Sequence, residues 1–197
     1  GSNCVECVKA SRPDVKTRAK YWNARQPAMV TMSIMALNVL VFVYCAIRTP
    51  SSIGDGGGIG QAQLGLLGPA LRDVPFAIGV GDGTTYVVQG PDWYRLVTSG
   101  FTHAGIIHLA LNMYLLYQLG NMLEPAIGRV RFALTYFASL LGGSALVLLL
   151  SPNNITVGAS GAVFGLMGVA AIGYWLRGVN PLSTQIGSLL MLNLFLT

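Results

Sequence analysis

Charge is what this 197-residue sequence has least of. Only 10% of its residues are Asp, Glu, Lys or Arg, against about 25% in a soluble domain. So few charges cannot cover a water-facing surface. With 53% hydrophobic residues and a mean hydropathy of +0.59, the chain falls in the membrane class. No acidic residue lies inside any long apolar run, and no internal repeat is visible, which speaks against a transporter or scaffold bundle. Cysteine is also scarce, at three. Cys45 sits in an apolar run and reads as a packing residue. Cys4 and Cys7 form one C-x-x-C, half of what a zinc site needs. Neither a metal nor a cofactor is expected. Histidine is scarcer still, with His103 and His108 alone.

The net charge is +5, but its distribution argues against a nucleic-acid partner. Lys9, Arg12, Lys16, Arg18, Lys20 and Arg25 all precede the first apolar run. That makes a basic juxtamembrane segment over 1–27, which sets orientation and touches anionic lipid. The opening Gly-Ser reads as a cloning scar.

Apolar runs organise the rest into an all-α bundle of spanning helices over 28–197. About 20 helical residues cross a bilayer. The runs predict helices at about 28–47, 104–122, 132–150, 158–176 and 182–197. The last run stops without a polar flank and reads as a helix cut short. Between the first two runs lies a Gly- and Pro-rich loop, 48–94. Its apolar middle, "QAQLGLLGPALRDVPFAIGV", predicts short helices lying at the membrane interface. Asp55, Asp73, Asp82 and Asp92 dilute the basic residues of that loop, so the N-terminus is expected inside and the loop outside.

That topology brings polar residues to one depth. His108 and Asn112 fall early in the second helix. Four residues apart, they share a face. His103 and His108, five apart, project about 140° from each other on a helix and need not serve one site; His103 is expected at an aqueous mouth. Ser160 opens the fourth helix in "VGASGAVFGLMG". A serine among glycines is usually packing glue, and Gly161, Gly165 and Gly168 have the spacing for close helix contact. Ser160 is also a possible nucleophile. A hydroxyl nucleophile needs a base and oxyanion donors. The first turn of a helix offers unpaired N–H groups and a favourable dipole. Gly158 and Gly161 would clear β-carbons from a substrate's approach, and His108 and Asn112 could donate to the oxyanion. The G-x-S-x-G elbow of a soluble hydrolase fails at Ala162.

At these residues the sequence resembles the rhomboid family of intramembrane serine proteases. "HLALN" (His108 to Asn112) is similar to the family's H-x-x-x-N, and "GASG" (Gly158 to Gly161) to its G-x-S-G. "WYRLVTSGFTHAGIIH", with Arg95, is similar to the end of the family's long first loop. "EPAIGR" supplies Glu124 and a glycine after the second helix. The resemblance implies a multi-pass protein of a bacterial inner (plasma) membrane that cuts transmembrane protein substrates near their outer end. It implies Ser160 as nucleophile, an oxyanion hole of His108, Asn112 and the Ser160 N–H, His103 beside the site retaining water, and structural roles for Arg95, Glu124 and Gly165. It also implies a base histidine on a sixth helix. Neither histidine here occupies such a position, so the 197 residues are expected to be inactive without a C-terminal segment carrying that helix. "CVECVKASRP" is similar to the end of a Cys/His module found before the membrane domain in some bacterial members. The remaining readings are a non-catalytic relative that binds membrane helices, and the transporter or scaffold bundle already disfavoured.

Overall fold

The computed structural model describes residues 27–54, 57–80 and 83–196. The basic segment with Cys4 and Cys7, together with Asp55 and Asp82, lies outside the described residues.

Helix α1 spans Met29–Arg48 and stops where Thr49 turns extended ahead of Pro50. Its buried stripe is Thr31, Ile34, Asn38, Phe42 and Cys45, the three- and four-residue spacing of one helix face. Leu37, Leu40, Val43 and Ile47 point outward and are exposed. A helix with polar residues inside and leucines outside inverts the soluble pattern and suits lipid surroundings. The helix Arg129–Leu150 (α6, after the elements below) does the same, burying Phe132, Tyr136, Leu140 and Ser144 while exposing Leu134, Leu141 and Leu149. These two helices are long and apolar enough to cross a membrane.

The long loop contains short helices, as expected: α2 (Ile59–Leu64), α3 (Gly68–Leu71) and α4 (Arg95–Thr98). It also contains strands the all-helical expectation omits. β1 (Phe76–Gly79) pairs antiparallel with β2 (Thr85–Val88), Ile78 facing Tyr86. Phe76, Ile78, Tyr86 and Val88 alternate onto one face and pack on Leu67 and Ala70. That alternation of apolar residues is what lets the two short strands share one buried face.

Helix α5 runs Ile106–Ile127, starting later and ending later than expected, and α6 starts three residues before the expected 132. The helix continues past the expected end at 122 because the Glu124 carboxylate, 3% exposed, is paired inside the bundle. It accepts from Val30 N (3.0 Å), Thr31 N (2.8 Å) and Thr31 Oγ1 (2.8 Å), capping the start of α1. Gly128, at φ 87°, then reverses the chain directly into α6. Helix α7 spans Ser160–Trp175 and α8 Gln185–Leu196. The bundle core packs α5 and α7 at its centre through Leu115, Leu116, Leu119, Val163 and Leu166. Because the end of α5 meets the start of α1, the starts of α5 and α7 lie together at the opposite end.

Candidate active site

Two backbone braces fix the segment that leads into Ser160. Leu66 and Thr156 exchange N–H···O bonds of 2.8 and 2.9 Å, and Gly68 N donates to Pro152 O at 2.7 Å. The long loop therefore lies directly on residues 152–156. Added β-carbons at Gly65 and Gly68 would reach 2.8 Å from the Ile155 side chain and 2.7 Å from Pro152 O, so only glycine permits this approach. Arg95, 1% exposed, holds the other side of the loop. Its Nη1 donates to Ala62 O and Gly65 O, both at 2.8 Å, and its Nε to Asp92 at 3.0 Å. Nearby, Gly158 N donates to Ser99 O at 2.9 Å.

Ser160 is the first residue of α7. The first bond of its ladder runs from Val163 N to Ala159 O at 3.0 Å. The N–H groups of Ser160, Gly161 and Ala162 thus stand outside the ladder, where a helix offers a partial positive charge. Ser160, His108 and Asn112 line one cavity of about 430 Å³, with Thr156 and Asn193. A second, more apolar cavity of about 230 Å³ reaches Ser160 from the α6 side, past Leu140, Gly143 and Phe164. The Asn112 Nδ2 donates to His108 O at 3.0 Å, and the amide's other N–H is left for a ligand. The Asn112 Oδ1 has no hydrogen-bond partner among the described residues.

Four sequence expectations change here. His103 is not at an aqueous mouth: it is 1% exposed, and its ring stands edge-on to His108 with centroids 5.2 Å apart. The helical angle does not apply to it, because α5 begins only at Ile106 and His103 lies in the irregular segment before it. Burial first, and the His108 ring second, push His103 down to about 3, so it is neutral at physiological pH. Gly161 does not clear a substrate path. It packs on α6, where an added β-carbon would stand 3.2 Å from the Gly143 Cα. Gly158 clears space for His108 itself: a β-carbon there would reach 2.8 Å from the ring, and its φ is +124°. Gly165 packs on Ser139 as expected of a contact glycine, whereas Gly168 meets nothing within 4 Å.

Sequence reasoning missed Asn193, which is 2% exposed on α8 and lines the cavity. The signal was available, a single amide in "LLMLNLFL".

Fold and site together define a helical bundle with apolar outer faces and a polar cavity opened by a helix N-terminus. The Rhomboid domain model matches residues 90–197, and the chain belongs to the rhomboid family, whose members are membrane-embedded. It is 34% identical over 171 residues to "RHOMBOID-like protein 6, mitochondrial" of Arabidopsis thaliana, covering 80% of this chain and 55% of that protein. It is 45% identical over 103 residues to "RHOMBOID-like protein 4" of the same plant, covering 52% of this chain and 26% of that one. It is 31% identical over 153 residues to "Rhomboid protease GluP" of Bacillus subtilis, covering 78% of this chain and 26% of that protein. The chain thus spans from about half down to a quarter of the length of these relatives. No solved structure matches it.

Proposed function

We propose that the Ser160 cavity is the active site of an intramembrane serine endopeptidase acting on transmembrane-helix substrates. One observation carries this reading: a serine at a helix N-terminus shares a cavity with His108 and Asn112 inside an otherwise apolar bundle. The Ser160 hydroxyl attacks a peptide carbonyl and passes its proton to an imidazole base. The oxyanion is held by the Ser160 N–H, by His108 and by the remaining N–H of Asn112. The C–N bond then breaks, the base returns the proton to the leaving amine, and water hydrolyses the ester. The base is proposed to come from outside these 197 residues, since His103 is buried behind His108 and His108 belongs to the oxyanion set. A membrane helix hides its carbonyls in its own ladder, so the substrate must unwind where it is cut. Small or helix-breaking residues near the outer end favour that. The basic segment 9–25 is proposed to face the cytoplasm, which puts the cavity toward the outer face of a bacterial plasma membrane.

A second reading is a rhomboid-like protein that binds membrane helices without cutting them. It is favoured by one fact, that two of the similar proteins carry the name rhomboid-like and not protease. Labelling of the intact protein with a fluorophosphonate separates the two. The protease reading expects a labelled wild type and an unlabelled Ser160→Ala. A wild type that never labels supports the binding reading.

A further inference from the structure

Asn193 is the one amide of the cavity that the proposed peptidase chemistry leaves without a role. Its side chain stands on α8, while Ser160 opens α7 and His108 and Asn112 lie on α5. All four line the same space. Asn193 is therefore a third wall of the site, contributed by a helix that supplies no other polar group to it. The neighbouring α8 residues Met191 and Leu194 are exposed and apolar, while Asn193 is 2% exposed. Placing an amide in an apolar helix is costly unless polar groups or a polar cavity receive it.

The chemistry of an amide indicates what it would receive. A substrate helix that unwinds in a dry bundle bares peptide N–H and C=O groups, each costly without a partner. Asparagine carries one acceptor and two donors on one planar group, the complement of a peptide unit. An apolar side chain could offer neither, and a charged one would bring its own desolvation penalty. Resting on the protease reading above, we propose that Asn193 is a substrate-positioning residue. Its carboxamide pairs with a peptide group of the unwound membrane segment while Ser160 addresses the scissile carbonyl. The substrate class is a transmembrane helix in its locally extended form, and Asn193 has no part in proton transfer or oxyanion binding.

The test uses the intact protein in liposomes and two readouts on the same preparations. One is the rate of Ser160 labelling by a small fluorophosphonate, which has no peptide chain for Asn193 to hold. The other is kcat/KM for a reporter carrying one transmembrane helix with small residues at its outer end. Asn193→Leu is expected to lower kcat/KM by about tenfold, the scale of one lost hydrogen bond to a buried peptide group, and to leave the labelling rate unchanged. Asn193→Gln is expected to restore much of the loss. If Asn193→Leu lowers labelling and cleavage together, Asn193 merely supports the bundle and the proposal is overturned. Unchanged cleavage overturns it as well. A wild type that neither labels nor cleaves overturns the protease reading, and this proposal with it.

Discussion

At the scale of single residues, Gly158 and His103 control where His108 stands. Gly158→Ala adds a β-carbon 2.8 Å from the His108 ring at a φ of +124°, a backbone region that L side chains rarely adopt. The expected outcome is a fall in kcat of roughly 10²-fold or more, the scale of losing one oxyanion donor. Gly168→Ala, whose β-carbon meets nothing within 4 Å, is expected to keep full activity in the same assay. His103 makes a pH prediction. Its folded pKa of about 3 lies below the ordinary 6.5, so the unfolded chain binds the proton more readily. Stability is then full above pH 6.5 and falls as the pH drops toward 3. Going from pH 7 to 5, this one group costs about 2 kcal/mol, which is 1.5 pH units below 6.5 at about 1.4 kcal/mol each. Unfolding in mixed micelles at both pH values measures it. A His103→Asn variant is expected to lose that much less between the two conditions, and equal losses would remove His103 as the cause.

At the scale of elements, two junctions hold the bundle around the site. Glu124 ties α5 to the start of α1 through three donors. Glu124→Ala leaves those donors buried and unmet. It is expected to cost about 3 kcal/mol in equilibrium unfolding, with Glu124→Gln costing less because an acceptor remains. Arg95 holds the carbonyls of Ala62 and Gly65, next to the Leu66–Thr156 bridge that braces the approach to Ser160. Arg95→Ala is expected to speed amide exchange at Leu66 and Thr156 well before it unfolds α1 or α6. Exchange that stays slow at both residues would show that the loop does not depend on Arg95. The α6–α7 contact gives a paired test: Gly165→Ala runs into Ser139 and is expected to destabilise by about 1–3 kcal/mol. Gly168→Ala is expected to be neutral or slightly stabilising, because it removes glycine's backbone freedom without a clash. Thermal midpoints of the two variants decide it.

At the scale of the whole molecule, five long apolar runs in the sequence correspond to five helices, and the gathering of Ser160, His108 and Asn112 followed from run order and charge placement. Those features were legible because each polar residue stands alone in apolar surroundings. Others depended on contacts that no local pattern records. The end of α5 lies beyond the expected 122 because a charge at Glu124 reads as outside the membrane until its partners on α1 are known. The first strand, Phe76–Gly79, lies in the apolar stretch whose composition predicts short interfacial helices, because the alternation of Phe76, Ile78, Tyr86 and Val88 is too short to stand out from the glycines around it. The glycines around Ser160 divided differently from expectation: their neighbours, His108 for Gly158 and Gly143 for Gly161, come from other helices. Asn193 went unread because an isolated amide near the end of the last run looked like part of its apolar stretch.

The central claim is that Ser160 cuts a membrane helix. Its most direct test is to incubate the intact protein, in liposomes, with a reporter carrying one transmembrane helix, and to map the product ends by mass spectrometry. The account predicts a single cut in the outer part of the helix, made by the wild type and abolished in Ser160→Ala. The same cut made by Ser160→Ala, or a reporter left whole by the intact wild type, would contradict it.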